Sequence, residues 1–170
     1  MALARIHTEK LFPVVVDQMR PDEAAMTAAL FTQVVTALPY YNQVAKAKEL
    51  AKYSPSSLQD SLLKDPDSVL VARTTEIVVG FCFNHNDDGV IWLAWFGVHP
   101  DYRGMGVGSA LLRKLEETVR NGRSHKIWCD CRTENEASKH ALTKLGYVQL
   151  CTVLNHWYGQ DFILWEKLVS

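Results

Sequence analysis

Residues 11–16 (LFPVVV) form a short apolar run that reads as a first strand. Arg20-Pro21-Asp22-Glu23 follows, and proline beside acidic residues suits a helix start. Met26, Leu30, Val34 and Leu38 then recur at helical spacing, so a first helix is predicted over residues 21–38. Tyr40-Tyr41-Asn42 interrupts it. Residues 44–53 are polar and carry Lys46, Lys48 and Lys52, which predicts a second helix lying on the surface with a solvated basic face. Ser57-Leu58-Gln59-Asp60 has the form of a capping box, and it opens a short helix that Asp65-Pro66 ends.

The pattern then changes to strands. Residues 68–73 and 77–84 are joined by a Thr74-Thr75-Glu76 turn, and Asn86-Asp87-Asp88-Gly89 leads into the aromatic and β-branched run 90–98 (VIWLAWFGV). An antiparallel meander is predicted for these three. After it, Leu111, Leu112, Leu115 and Val119 recur at helical spacing over residues 109–120, with Asn121-Gly122 as a stop signal. A strand over residues 125–131, a helix from near Asn135 and two strands around 148–153 and 161–168 complete the chain. No internal repeat, linker or low-complexity stretch divides it, so 1–170 reads as one domain.

The junction between strand 90–98 and the helix after it carries the chemistry. Gly104, Gly106 and Gly108 let the backbone turn tightly and aim several N–H groups at one point, where the new helix also presents its positive dipole end. That is a cradle for an anion such as a pyrophosphate. Gly97, inside the strand, marks a bulge or the close approach of a ligand.

Composition narrows the partners. The chain is 48% hydrophobic and 22% charged with a formal net charge of -1, which gives no general attraction to nucleic acid. No apolar run approaches the roughly 18 residues of a membrane span, and no secretory signal opens the chain, so the cytoplasm is the default compartment. Cys82, Cys129, Cys131 and Cys151 lack the paired spacing of a zinc or redox site; burial in strands is predicted for all four, and no metal is implied.

Two motifs in order point to a family. The spacing Arg103-x-x-Gly106-x-Gly108, after a strand ending in Val98-His99-Pro100, resembles the acyl-CoA-binding segment of the GNAT superfamily of N-acyltransferases. The segment from Asn135 to Leu145-Gly146-Tyr147 resembles that family's fourth-helix motif. The resemblance implies an α/β fold of the α+β type, a central mixed, mostly antiparallel seven-stranded sheet flanked by helices. It also implies acetyl-CoA as co-substrate, held by Phe96, Gly97, Val98, Arg103, Gly104, Met105, Gly106, Val107, Gly108, Ser109 and Asn135, with the Val98 N–H aimed at the thioester carbonyl.

The implied reaction is transfer of acetyl to a primary amine by direct attack in a ternary complex. The amine is left open between a small molecule, a lysine side chain and a protein N-terminus, as is assembly into a homodimer. An alkylammonium must lose a proton before it attacks, yet residues 91–98 hold no acid; His85, Asp87 and Asp88 at the adjoining turn are substitutes by position. The position where many members carry a thiol-protonating Tyr is Leu142, expected against the thiol end of the cofactor. Tyr158, in His156-Trp157-Tyr158-Gly159-Gln160-Asp161, is the substitute donor, so Tyr158 and His85 are the catalytic candidates. Two rivals remain beside this reading. A dinucleotide-dependent oxidoreductase would use Asp130 after the glycines, but their spacing is Gly-x-Gly-x-Gly and too little chain follows. A non-catalytic acyl-CoA sensor fits the missing Tyr and missing strand acid.

Overall fold

The computed structural model describes residues 13–169, and these form one mixed seven-stranded sheet with helices on both faces. In chain order the elements are β1 (Val15–Gln18), α1 (Ala24–Ala37), α2 (Gln43–Lys52), α3 (Pro55–Lys64), β2 (Val69–Arg73), β3 (Val78–Asp87) and β4 (Val90–Val98). They continue with α4 (Val107–Thr118), β5 (Lys126–Arg132), α5 (Glu136–Lys144), β6 (Val148–Val153) and β7 (Phe162–Leu168). The sheet order is β1-β2-β3-β4-β5-β7-β6. Every neighbouring pair is antiparallel except β4 with β5, as the predicted mixed, mostly antiparallel sheet requires.

Alternation along the strands sorts the core into two layers. Val69, Val71, Phe81 and Phe83 pack with Leu30, Phe31 and Val34 of α1 and Leu58 of α3. The opposite face carries Ile91, Leu93, Ile127, Cys129 and Cys131 against Leu111, Leu112 and Leu115 of α4 and Leu142 of α5. The three α4 leucines are fully buried, each worth roughly 1.5–3 kcal/mol of apolar transfer.

Several local expectations shift. The first strand starts at Val15 instead of residue 11; Leu11 and Phe12 lie outside the described residues. Met26 is 42% exposed, because α1 turns Thr27, Ala28 and Phe31 inward instead. The α3 cap is Ser54, whose hydroxyl accepts from the Ser57 N–H, with Pro55 in the first helical position where its missing N–H costs nothing. β3 runs on to Asp87, and the hairpin turn is Asp88-Gly89, both at positive φ as a type I′ turn requires. Cys151 is exposed, because β6 is the outer strand of the sheet; Cys82, Cys129 and Cys131 are buried as expected.

What positions the site is a fork in the sheet. β4 and β5 pair only from Val90 with Lys126 to Leu93 with Cys129. Beyond that point β5 stays with β7 as far as Arg132 opposite Phe162, while β4 stays with β3 as far as Val98 opposite Gly80. A β-bulge at the fork places Trp95 opposite Phe83 and Leu93 opposite Asn84, leaving Ala94 as the extra residue.

Candidate functional site

The fork opens into a cavity of ≈ 1030 Å³ that runs from the start of α4 and α5 to the aromatic face under α2. His99 donates its N–H to the Val79 carbonyl on β3. Because backbone direction alternates along a strand, Phe96 and Val98 turn their N–H and C=O groups the other way, into the gap that β5 has left. The Val98 carbonyl accepts from Arg103 Nε at 3.3 Å, which folds the arginine over that end of the gap.

The glycine cradle lies beside it. Gly104 and Gly106 take positive φ (76° and 82°), and a Cβ at either would meet nothing within 4 Å, so they serve backbone shape and not packing. Gly106 caps α4 with its carbonyl accepting from Ala110 N at 3.0 Å, which leaves the N–H groups of Val107, Gly108 and Ser109 without a partner in the helix. Three donors at the positive end of a twelve-residue helix, beside an open strand edge, fit an anion followed by an amide-bearing arm. Arg103, Gly104, Gly106, Val107, Gly108 and Ser109 all line the cavity, as do Phe96, Gly97, Val98 and Asn135. Met105 does not; it is half exposed.

Gly97 proves to have a packing reason. A Cβ there would come within 2.5 Å of the Phe81 ring, so its bare α-carbon makes room for the core, and the bulge expected at Gly97 lies at Ala94. Asn135 caps α5, its Oδ1 accepting from Ser138 N at 3.1 Å. α5 shows the cavity Ala137, Ser138 and Ala141 and turns Leu142 into the core, fully buried, so Leu142 does not line the cavity where the cofactor was expected to meet it.

The far half of the cavity is aromatic and acidic. Asp130, on β5 one residue past the last β4 pairing, points to the face opposite Cys129 and Cys131 and accepts from Trp157 Nε1 at 2.7 Å. Burial pushes its carboxyl up to about 6, held from rising further by the Trp157 hydrogen bond and by His156. Tyr41 packs on Trp95 at 5.4 Å between ring centres, and burial followed by the charge of Asp130 drives its phenol well up. Glu49, 7% exposed on α2, accepts from Trp95 Nε1 at 2.8 Å, from Tyr158 OH at 2.5 Å and from Lys52 Nζ at 2.6 Å. Lys52 stays exposed, as the solvated face expected of it requires, while its ammonium borders the cavity; burial opposes its charge, and the bonds to Glu49 and Tyr158 outweigh that and raise its pKa.

Of the two catalytic candidates, Tyr158 lies in this wall at φ 58°, a left-handed conformation, with its pKa raised by burial and by the bond to Glu49. His85 sits on β3 opposite Trp92, exposed and also on the cavity lining. Asp87 and Asp88 stay on the exposed hairpin turn. Asp130 and Glu49 were missed as site residues. Alternation with Cys129 and Cys131 was the available signal for Asp130, whereas Glu49 reads in sequence as one more charge on a polar helix. Among the described residues no group of three or more His, Cys, Asp or Glu could hold a metal ion, and no helix is long and apolar enough to cross a membrane.

The comparisons with known proteins agree with this geometry. Residues 35–147 match the model of the acetyltransferase (GNAT) family, well over half of the chain, and the chain belongs to that family. An acetyltransferase of Sodalis glossinidius is 35% identical over 57% of this chain and 68% of its own, and one of Pectobacterium atrosepticum is 33% identical over 53% and 64%. The chain therefore spans about two thirds of the relatives it matches. Among solved structures, an N-acetyltransferase of Staphylococcus aureus superposes with a TM-score of 0.76 at 14% identity over 93% of this chain and 99% of that one. An acetyltransferase of Salmonella typhimurium, solved with its cofactor acetyl-CoA, superposes with a TM-score of 0.70 at 20% identity over 92% and 94%.

Proposed function

We propose that the protein is an N-acetyltransferase that moves the acetyl group of acetyl-CoA to a primary amine by direct attack in a ternary complex. The observation that carries this is the fork: one strand edge left open next to free helix N–H groups, with the half-buried Asp130 carboxylate opposite. Acetyl-CoA supplies the activated acetyl group when bound. Val107, Gly108 and Ser109 would hold its pyrophosphate, and Phe96 and Val98 would pair with the pantetheine arm as an added strand pairs. The arm enters from the cradle, so Val98 lies toward the pyrophosphate. Phe96, nearer the bulge and Asp130, is then the better placed N–H to polarise the thioester carbonyl, in place of Val98.

Asp130 is the base of this reading. A carboxylate with a pKa of about 6 is ionised at neutral pH and still basic enough to take a proton from an ammonium, directly or through one water. Tyr158 returns a proton to the departing thiolate. That transfer is uphill from a phenol whose pKa is raised, but a thiol ionising near 8.5 leaves tolerably without help, so the step asks little of its donor. His85 lines the same cavity. Cys129 and Cys131 also border the cavity, yet burial pushes Cys131 up to about 11 and Cys129 well above its usual value. Thiols so held are protonated and poor nucleophiles, which supports direct attack over an acetyl-cysteine relay.

The test is release of CoA thiol from acetyl-CoA across a panel of primary amines. Amine-dependent release supports the reading; binding of CoA without release for any amine leaves a non-catalytic acyl-CoA sensor, and stabilisation by nicotinamide dinucleotides but not by CoA overturns it.

A further inference from the structure

The acceptor half of the cavity is clasped across its top. The turn between α1 and α2 is bonded to the β6–β7 connection through Asn42 Nδ2 to the Tyr158 carbonyl (3.1 Å) and Gln160 Nε2 to the Tyr40 carbonyl (2.9 Å). The Asn42 N–H also reaches Gln160 Oε1 at 3.3 Å. Arg132, 5% exposed, ties the same two segments from below, donating Nε to the Tyr40 carbonyl at 3.2 Å and Nη1 to the Asp161 carbonyl at 2.7 Å. Most of these bonds end on main-chain atoms, so they fix the separation of the two segments. Beneath them Tyr158 and Glu49 join at 2.5 Å. An extended chain lying across the cavity would have to part these segments, and its own amides would then face aromatic rings.

The charges under the clasp are equally restrictive. Glu49 is matched by Lys52 at 2.6 Å. Asp130 is in none of the ion pairs among the described residues; it faces the Trp157 N–H, His156 and the more distant Glu49. One carboxylate is therefore left for a cation, next to the rings of Tyr41, Trp95 and Trp157, whose faces attract an ammonium and accept an apolar body.

We infer that the acceptor is a compact primary amine with one positive charge and an apolar body, its ammonium at Asp130 and its body on the aromatic wall, and that the clasp shuts out extended peptides. This rests on the N-acetyltransferase reading. A polyamine would bring a second cation for which no free carboxylate waits, and a peptide N-terminus would need the clasp open.

Titration calorimetry on the full chain saturated with CoA tests it, using phenethylamine, spermidine and an uncharged octapeptide with a free N-terminus. Phenethylamine is expected to bind at least about tenfold more tightly than either rival, with the advantage lost in Asp130→Asn. Gln160→Ala, which cuts two clasp bonds far from the reacting atoms, is expected to improve peptide binding several-fold while phenethylamine binding holds. Peptide or spermidine binding as well as phenethylamine, or none of the three binding, overturns the inference. Phenethylamine binding in the expected order without release of CoA thiol from acetyl-CoA leaves the inference standing and overturns the transferase reading.

Discussion

Trp157 donates its indole N–H to the Asp130 carboxylate at 2.7 Å, which links the β6–β7 connection to the splayed strand at the point where β4 leaves it. The indole is half exposed, so one face of the carboxylate is fixed by a rigid donor and the other looks into the cavity. A base needs this: a fixed position, a site for the incoming proton, and surroundings dry enough to raise its pKa.

Asp130→Asn is expected to lower turnover by at least about 100-fold at pH 7.5, while CoA affinity changes little. In the parent, kcat/KM should rise with pH through about 6, as Asp130 ionises, and the variant should lose that limb. The stability effect has the opposite sign. A carboxyl whose folded pKa lies above its unfolded value near 3.9 favours the folded state at low pH and loses that advantage as pH rises to about 6. Asn, which keeps an acceptor for Trp157, should therefore raise stability at pH 7 by on the order of 1–2 kcal/mol and leave it unchanged near pH 3, measured by urea unfolding.

Gly108→Val gives the clean test of the cradle. Gly108 has ordinary helical φ, and an added Cβ meets only Val98 Cγ2 at 3.6 Å, so Tm should move by no more than about 4 °C. The branched side chain stands among the three free N–H groups, and CoA affinity should fall tenfold or more. Gly106→Val should weaken CoA binding as well, and it adds about 1–2 kcal/mol of backbone strain at φ 82°. Arg103→Ala should cost less, since the anion's contacts are mainly backbone. Unchanged CoA affinity in both glycine variants would remove the cradle.

The cradle was legible because its chemistry is local: glycine spacing, a strand before it and a helical pattern after it lie within one stretch of chain. The element order was legible for the same reason. Of the acceptor wall only Tyr158 was, through its aromatic segment; Glu49 and Asp130 were not, since they come from α2 and β5, and only the fork brings them to one cavity with Tyr158 of the β6–β7 connection. Leu142 shows the limit at shorter range. Its spacing from Asn135 fits a family position, but the rotation of α5 that buries it depends on core packing, which no local motif carries. Gly97, which marks a bulge or a ligand's approach by sequence, does line the cavity, but its packing reason is Phe81, a residue 16 positions earlier in sequence and opposite it in the sheet.

Gly97→Ala is accordingly expected to destabilise the fold by about 1–3 kcal/mol through collision with the Phe81 ring, measured by urea unfolding. The double variant Gly97→Ala with Phe81→Leu should recover part of this. An undiminished loss in the double variant would place the strain elsewhere.

Tyr158→Phe removes the hydroxyl that Glu49 and Lys52 hold and keeps most of the ring contacts. Turnover should fall about tenfold with CoA binding near normal, a modest factor because the leaving thiolate is a weak base. Glu49→Gln should act mainly on KM for the amine, since Glu49 orients Trp95 and Tyr158 from behind the wall. A rate unchanged by Tyr158→Phe at saturating amine, across the active pH range, would leave water as the proton source.

Direct transfer itself is tested most directly by a single turnover with acetyl-CoA carrying a deuterated acetyl group, in excess enzyme, followed by mass spectrometry of both protein and amine. The heavy acetyl should appear on the amine in one kinetic phase, matched by free CoA thiol, with no heavy acetyl on the protein at any time. Label that first accumulates on the protein, at Cys131 or any other residue, or CoA released without labelled amine, would contradict the account.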